Sequence, residues 1–268
     1  MHVGNEPDGR PTVPGGSRAS DFHALHHGAA PLLLPNVWDV GSASALVEAG
    51  FRALGTTSFG IASAVGVPDG TGRTREHVVA LVRRLARLPC LLTVDVENGF
   101  SDDPGEVAEL AALLAGLGAV GINLEDSADP TRLADVGRHA EKVAAVKERV
   151  PWLYVNARVD TYWVGVDRTV DATLRRAARY RRAGADGIFV PGELTAVEVA
   201  ALVDGVGVPL NVLWYPGGLP VARSAALGVK RISTGSQLYR AARRAAVDLV
   251  TELVSGTRGE GPSTGLRS

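Results

Sequence analysis

Short apolar runs alternate with longer stretches of helical spacing along the whole middle of the chain. The runs are LLLPNV (32–37), ALGTTS (53–58), LLTVDV (91–96), AVGINLED (119–126), LYVNARVD (153–160), GIFVPG (187–192), PLNVLW (209–214) and RISTGS (231–236). They are almost continuously apolar, as strands of a parallel sheet covered on both faces should be. The intervening stretches have helical spacing. REHVVALVRRLARL sets Val78, Val79, Leu81, Val82 and Leu85 on one stripe. GSASALVEAG, EVAELAALLAGLG, HAEKVAAVKERV, TLRRAARYRRAG, TAVEVAALVDGV, VARSAALG and LYRAARRAAVDLVTELV read the same way. Gly50, Gly118, Gly184 and Gly228 close four of them, as a left-handed helix stop requires.

Eight strand–helix units predict a (β/α)₈ TIM-type barrel. An open doubly wound sheet would carry fewer strands and a Gly-rich phosphate turn after the first, and NVWDVGSAS contains no GxGxxG. ASDFHALHHG, ahead of the first strand, reads as an extra helix closing the barrel floor. Residues 1–20 and 255–268 are rich in Gly, Pro and Ser and read as a disordered arm and tail. That leaves 21–254 as a single barrel domain.

Composition narrows the partners. Lys and Arg total 28 against 29 Asp and Glu. This balance argues against nucleic acid and gives no support to a polybasic membrane binder. The one cysteine, Cys90, rules out an internal disulfide and a multi-cysteine zinc site. No apolar run reaches the ~18 residues of a membrane span, and the N-terminus lacks the apolar stretch of a signal peptide. A cytoplasmic location is the expectation.

Chemistry in such a barrel gathers at the C-terminal ends of the strands, and that is where the polar residues fall. The third run ends in Asp95-Val96-Glu97, the fourth in Glu125-Asp126, and the fifth in Asn156, Arg158 and Asp160. The second ends in Thr56, Thr57 and Ser58, and its loop carries Asp69. The seventh carries Asn211. Any one carboxylate reads equally well as a helix cap. Five on neighbouring strand ends repel one another unless a cation compensates. With only oxygen ligands on offer, that cation is Mg²⁺ or Mn²⁺. Asp95 and Glu97 are two apart and so share a strand face, with Glu125 reaching in from the next strand. Asn156 and Arg158 share a face likewise. Arg158 suits a carboxylate or phosphate fork, and its alternative is a salt bridge to Glu125 or Asp126 that only stabilises the barrel. The set points to a metal-chelating anion such as a 2-oxo or 2-hydroxy carboxylate.

These residues carry a resemblance. LPNVWDVGSASALVEAGFRALGTTSFGIASAVGVPDG, LLTVDVENGF, GINLEDS, NARVDTY, GADGIFVPG and PLNVL, in this order from about residue 31 to residue 240, resemble the isocitrate lyase/phosphoenolpyruvate mutase superfamily. The resemblance implies a (β/α)₈ barrel, often with the last helix exchanged between subunits of a homodimer or homotetramer. It implies Mg²⁺ and a small carboxylate substrate. Asp95 and Glu97 match its metal-binding acidic pair, and Glu125 the further acidic group around the metal. Asp69 matches the acidic residue linked to the metal through water. Thr57, Ser58, Phe59 and Gly60 match the segment that holds the substrate carboxylate. Arg158 matches the arginine on substrate oxygens, and Asn211 a polar contact on strand seven. The lyase signature with its catalytic cysteine is missing. The corresponding stretch, SADPTRLADVGRH (127–139), is short and has no cysteine, nor the Lys and Asn pattern of the mutases and phosphonopyruvate hydrolases. Cys90 lies at the wrong end of strand three and reads as a core residue.

Other residues read more plainly. His23, His26 and His27 lack a third convergent ligand and read as a surface helix face, as do His139 and the run Arg175, Arg176, Arg179, Arg181 and Arg182. Asp39 reads as a cap or a hydrogen bond near the site. Trp214 and Tyr215 either line a pocket for an apolar tail or pack under a loop. The expected activity is Mg²⁺-dependent C–C cleavage of a small 2-oxo or 2-hydroxy acid through an enolate, with Arg158, Glu125 and Asp69 as catalytic groups and no base assigned. The alternatives are P–C chemistry on phosphonopyruvate, and hydrolysis or decarboxylation of oxaloacetate. From another class comes a non-catalytic oxo-acid-binding protein, favoured by the short loop.

Overall fold

A computed structural model describes residues 16–256. The arm before residue 16 and the tail after 256 lie outside the described residues. In order, the elements are α1 (Gly16–Leu25), β1 (Leu32–Leu34), β2 (Asn36–Val37), α2 (Val40–Glu48), β3 (Ala53–Thr56), α3 (Ser58–Val65), α4 (Arg75–Leu85), β4 (Leu91–Asp95), α5 (Pro104–Gly116), β5 (Ala119–Glu125), β6 (Ser127–Asp129), β7 (Arg132–Leu133), α6 (Val136–Arg149), β8 (Tyr154–Arg158), α7 (Thr161–Val164), α8 (Val170–Arg182), β9 (Gly187–Val190), α9 (Ala196–Val206), β10 (Leu210–Leu213), α10 (Val221–Ala226), β11 (Arg231–Ser233) and α11 (Gln237–Ser255).

The main sheet is parallel throughout, in the order β1-β11-β10-β9-β8-β5-β4-β3-β2. β1 and β2 are two halves of one strand, broken at Pro35, so eight strands close a barrel. Pro35 has no N–H to give the ladder. The Asn36 amide mends the seam. Its Nδ2 donates to the Thr56 carbonyl at 2.8 Å, and its Oδ1 accepts from the N–H groups of Thr234 at 3.0 Å and Gly235 at 2.9 Å.

All eight apolar runs are strands, and the four stop glycines have φ between +92° and +103°. Besides the single turn α7, α3 and the β6–β7 hairpin had no counterpart in the periodicity. α3 opens immediately after β3, with Thr57 accepting from Gly60 N at 3.4 Å as its cap. β6 and β7 form an antiparallel hairpin inside the stretch 127–139.

α1 closes the barrel floor, and it begins at Gly16, inside the segment assigned to the arm. Phe22 is fully buried among Leu34, Ala53, Leu91, Val120 and Tyr154. The three histidines before β1 are therefore not one surface face. His26 is buried, its ring stacked on Tyr154 at 4.1 Å, and burial lowers its pKa to about 3. His139 is also no surface residue. It is buried edge-on to Tyr180 at 4.6 Å, with its pKa lowered to about 3, first by burial and then by Lys142 and Arg176. A helix of the outer ring packs one stripe on the barrel, and His139 lies on that stripe of α6, whereas His26 lies just beyond the α1 plug.

Candidate active site

At the C-terminal ends of the strands opens a cavity of about 590 Å³. Its wall includes Thr57, Ser58, Phe59, Asp69, Asp95, Glu97, Glu125 and Arg158. Four loops and strand ends thus bring together eight of the ten residues that the sequence singles out. Gly60 and Asn211 are not among them. A Cβ on Gly60 would lie 2.9 Å from the Trp38 Cβ, so this glycine serves the packing of α3. Asn211 is buried, and its amide pairs with Ser233 Oγ at 3.1 and 3.2 Å.

Asp95 ends β4. Its backbone N–H donates to Thr56 Oγ1 at 2.8 Å, and its carboxylate accepts long bonds from the N–H groups of Ser58 and Glu97 at 3.4 Å each. Glu97 does not continue the strand face. The strand stops at Asp95, and Glu97 takes a left-handed φ of +49°, an expensive backbone for a residue with a Cβ. Its carboxylate accepts from Thr74 Oγ1 and from Gly72 N–H at 3.2 Å, anchoring the loop that carries Asp69. The Ser58 side chain favours the charged form of both Asp69 and Asp95.

Burial pushes the carboxyls of Asp69, Asp95 and Glu97 above the ordinary range and that of Glu125 well above it. Asp95 adds to the rise at Asp69, Glu97 and Glu125, and Arg158 opposes it at Asp69, Asp95 and Glu125. For Arg158 burial acts downward, but Asp160, Glu125 and Asp95 hold its pKa above the usual value. Its Nη1 donates to Glu125 and its Nε to Asp160 at 2.5 Å. The guanidinium carbon lies 5.4 Å from the Trp163 ring centroid and 5.8 Å from that of Phe189. Two rings and two carboxylates therefore fix its plane.

Asp126, next to Glu125, faces the opposite way. It is fully buried and accepts from Arg176 Nε at 2.6 Å, Tyr180 Oη at 2.7 Å and the Asp160 N–H at 2.7 Å. Arg176 therefore leaves the solvated face on which it was placed. The hairpin contributes Ser127, Ala128, Asp129 and Pro130 to the wall. Arg132 is tied to Asp129 at 2.6 Å and Arg138 to Glu141 at 3.6 Å, both exposed, and neither reaches the cavity. Cys90 is buried at the start of β4, at the floor. Asp39 caps α2, accepting from Ser42 N–H at 2.7 Å. Trp214 packs against the core, and neither it nor Tyr215 lines the cavity.

Sequence reasoning missed Asn123, Trp163 and Arg240 on the wall. Asn123 was legible: it is two before Glu125, so it shares that residue's face. Arg240 sits one turn into α11, its guanidinium carbon 4.2 Å from the Phe59 ring centroid, and no motif marked it.

The donor chemistry suits a hard divalent ion, since every acidic group on the wall offers oxygen. Among the described residues no three His, Cys, Asp or Glu side chains form a preassembled ligand group. Mg²⁺ needs none, because it takes one or two carboxylates and keeps several waters. The residues fit the ion on that basis.

Fold and site together define a (β/α)₈ barrel with an acidic cavity at the catalytic end. The chain belongs to the phosphoenolpyruvate phosphomutase family, whose model matches residues 22–254. An uncharacterized protein of Mycobacterium tuberculosis is 45% identical over 235 residues, 88% of this chain and 89% of that one. An oxaloacetate decarboxylase of Ectopseudomonas mendocina is 30% identical over 250 residues, 87% and 83% of the two chains. Among solved structures, a Burkholderia cenocepacia protein with a provisional phosphonomutase assignment superposes with a TM-score of 0.83 at 36% identity, over 88% of this chain and 99% of that one. A phosphonopyruvate hydrolase in complex with oxalate and Mg²⁺ shares the fold, with a TM-score of 0.80 at 23% identity over 92% of each chain. No helix among the described residues is long and apolar enough to cross a membrane.

Proposed function

We propose that the protein is a Mg²⁺-dependent lyase that cleaves a carbon–carbon bond of a small 2-oxo or 2-hydroxy carboxylate. One observation carries this reading: Asp69, Asp95, Glu97, Glu125 and Arg158 converge on one cavity from separate strand ends and loops. Asp95, which meets long backbone N–H bonds at 3.4 Å, would hold the ion, with Glu97 and Glu125 around it. When bound, Mg²⁺ (or Mn²⁺, which suits the same donors) supplies a positive charge for the oxygen on which electrons collect as the bond at the next carbon breaks. Arg158, already aligned by its two rings, would trade Glu125 for a substrate oxygen. Thr57, Ser58 and Phe59 at the start of α3 would receive the carboxylate. The phosphonopyruvate hydrolase that binds oxalate and Mg²⁺ on the same fold supports this arrangement.

A second reading, decarboxylation of oxaloacetate, is favoured by the character of the wall. It includes no His, Lys, Cys or Tyr among the described residues. A retro-aldol cleavage needs a base to take the hydroxyl proton, and the titratable bases on the wall are all carboxylates, whereas loss of CO₂ from a 3-carboxylate needs none. Arg240 on the rim offers a cation for a second anionic group, and the Ectopseudomonas relative carries this activity in its name. Arg132 and Arg138 are held outside, so a phosphonate would have to share Arg240.

The test is release of a 2-oxo acid from isocitrate, methylisocitrate, dimethylmalate, oxaloacetate and phosphonopyruvate, with Mg²⁺ and with EDTA. Turnover of a carbon substrate that EDTA abolishes and Glu97→Ala removes is the expected result. Turnover that persists in Glu97→Ala overturns the metal assignment. Mg²⁺-dependent oxalate binding with no turnover of any substrate points instead to a binding protein.

A further inference from the structure

Asn123 lies on β5 in register with Asp95 on β4 and Asn156 on β8. It lines the cavity and is 4% exposed. Its Oδ1 accepts from Arg231 Nη2 and from Asn156 Nδ2, each at 3.0 Å. Amide oxygen and nitrogen often exchange places by a simple flip. Here the flip is forbidden, because a guanidinium has donors only. The Asn123 atom that faces Arg231 must be oxygen, and the Asn156 atom that faces that oxygen must be nitrogen. Asn123 Nδ2, with two N–H donors, therefore points away from both partners. Among the described residues it meets no protein acceptor.

Arg231 is an unusual residue to find there. It is 0% exposed, under the cavity floor, and forms no salt bridge among the described residues. Its Nε donates to Ser233 Oγ at 3.3 Å, and its Nη1 has no partner. Burial lowers its pKa only to about 10, so it remains a donor at neutral pH. A buried cation without a carboxylate is costly, and no apolar residue in its place would fix the amide above it.

We propose that Asn123 is a substrate-contacting residue whose amide hydrogens bind an oxygen of the oxo acid at the cavity floor, and that Arg231 and Asn156 are the positioning residues that hold the amide in that sense. The inference rests on the oxo-acid reading of the cavity. It adds a specificity rule: the ligand atom at this point must accept a hydrogen bond. A 2-oxo or carboxylate oxygen satisfies it, and a protonated 2-amino group does not.

The experiment is calorimetric titration of oxalate with Mg²⁺ into the full chain, with thermal unfolding in parallel, for the wild type, Asn123→Asp, Asn123→Ala, Arg231→Gln and Asn156→Leu. Asn123→Asp keeps the shape and gives Arg231 a carboxylate, so its Tm should equal or exceed the wild type's. It also removes both donors, so oxalate should bind at least about tenfold more weakly. The added negative charge would by itself weaken oxalate binding, so Asn123→Ala, which removes the donors without adding charge, must show the loss too; a purely structural Asn123 would keep its affinity there. Arg231→Gln and Asn156→Leu should each weaken binding a few-fold, because the competent orientation is then only partly populated. Wild-type affinity in Asn123→Asp overturns the substrate contact. Wild-type affinity in both other variants overturns the positioning. An unfolded Asn123→Asp overturns the premise that a cation faces Oδ1. A wild-type protein that does not bind oxalate overturns the oxo-acid reading itself, and this inference with it.

Discussion

Adjacent carboxylates with opposite fates show what decides a residue's role here. Glu125 ends β5 and Asp126 follows it, and alternation sends one into the barrel and the other outward. Glu125 meets Arg158 across the cavity. Asp126 receives three donors behind the sheet and touches no part of the cavity. Asp126→Asn should therefore cost stability, about 3–5 kcal/mol for breaking a fully buried charge pair, and leave the KM of whatever substrate is found nearly unchanged. Urea unfolding beside steady-state kinetics checks both halves, and a raised KM with an unshifted midpoint would contradict the assignment. The acidic strand ends were legible in the sequence because strand alternation is strict. Asn123 obeys the same rule but carries no charge, so it drew no notice. Arg240 was hidden for another reason: a helix residue reaches a cavity only through tertiary packing, which no local pattern encodes.

At the scale of elements, the strand–helix alternation was readable throughout because each strand is apolar on both faces and each helix has one stripe. What was not readable was the interior. β3, β5 and β9 carry glycine at Gly55, Gly121 and Gly187, and long side chains from elsewhere fill the space. A Cβ on Gly121 would lie 3.0 Å from Phe22 Cε1 and 3.1 Å from Thr93 Oγ1. The α1 plug therefore depends on this glycine, and its helical periodicity could not say which ring enters the barrel. Gly121→Ala should destabilise by about 1–3 kcal/mol through overpacking. Phe22→Ala should cost about 3–5 kcal/mol through the cavity it leaves. Because both side chains meet at one point, the double variant should recover part of the loss. Strictly additive unfolding energies would mean that Phe22 does not occupy the space beside Gly121.

For the whole molecule, α11 and the two buried imidazoles set the conditions under which the barrel holds. α11 leaves Val247, Val250, Leu253 and Val254 exposed, with relative exposures from 59% to 85%. So exposed an apolar stripe predicts a homo-oligomer in which a second copy covers these residues. Sedimentation should give a dimer or tetramer, and Val250→Glu with Leu253→Glu should shift it toward monomer. Acid should act through His26 and His139. Each has a folded pKa near 3 against an ordinary value of 6.5. Between those limits the unfolded chain binds the proton and the folded chain does not, so stability falls as pH drops below about 6.5. At pH 5 the loss is about 2 kcal/mol per histidine. The buried cavity carboxyls act in the opposite sense, because their raised pKa values make the folded state hold protons that the unfolded state has released. The overall slope therefore mixes the two, and only a difference isolates the imidazole. His139→Phe keeps a ring against Tyr180 and cannot be protonated. Between pH 7 and pH 5 its Tm should fall by several degrees less than the wild type's, at about 2–4 °C per kcal/mol for a chain of this size. Parallel Tm curves for the two proteins would show that His139 takes up its proton in the folded barrel as readily as in the unfolded chain, and that burial, with the Lys142 and Arg176 charges beside it, does not keep it neutral.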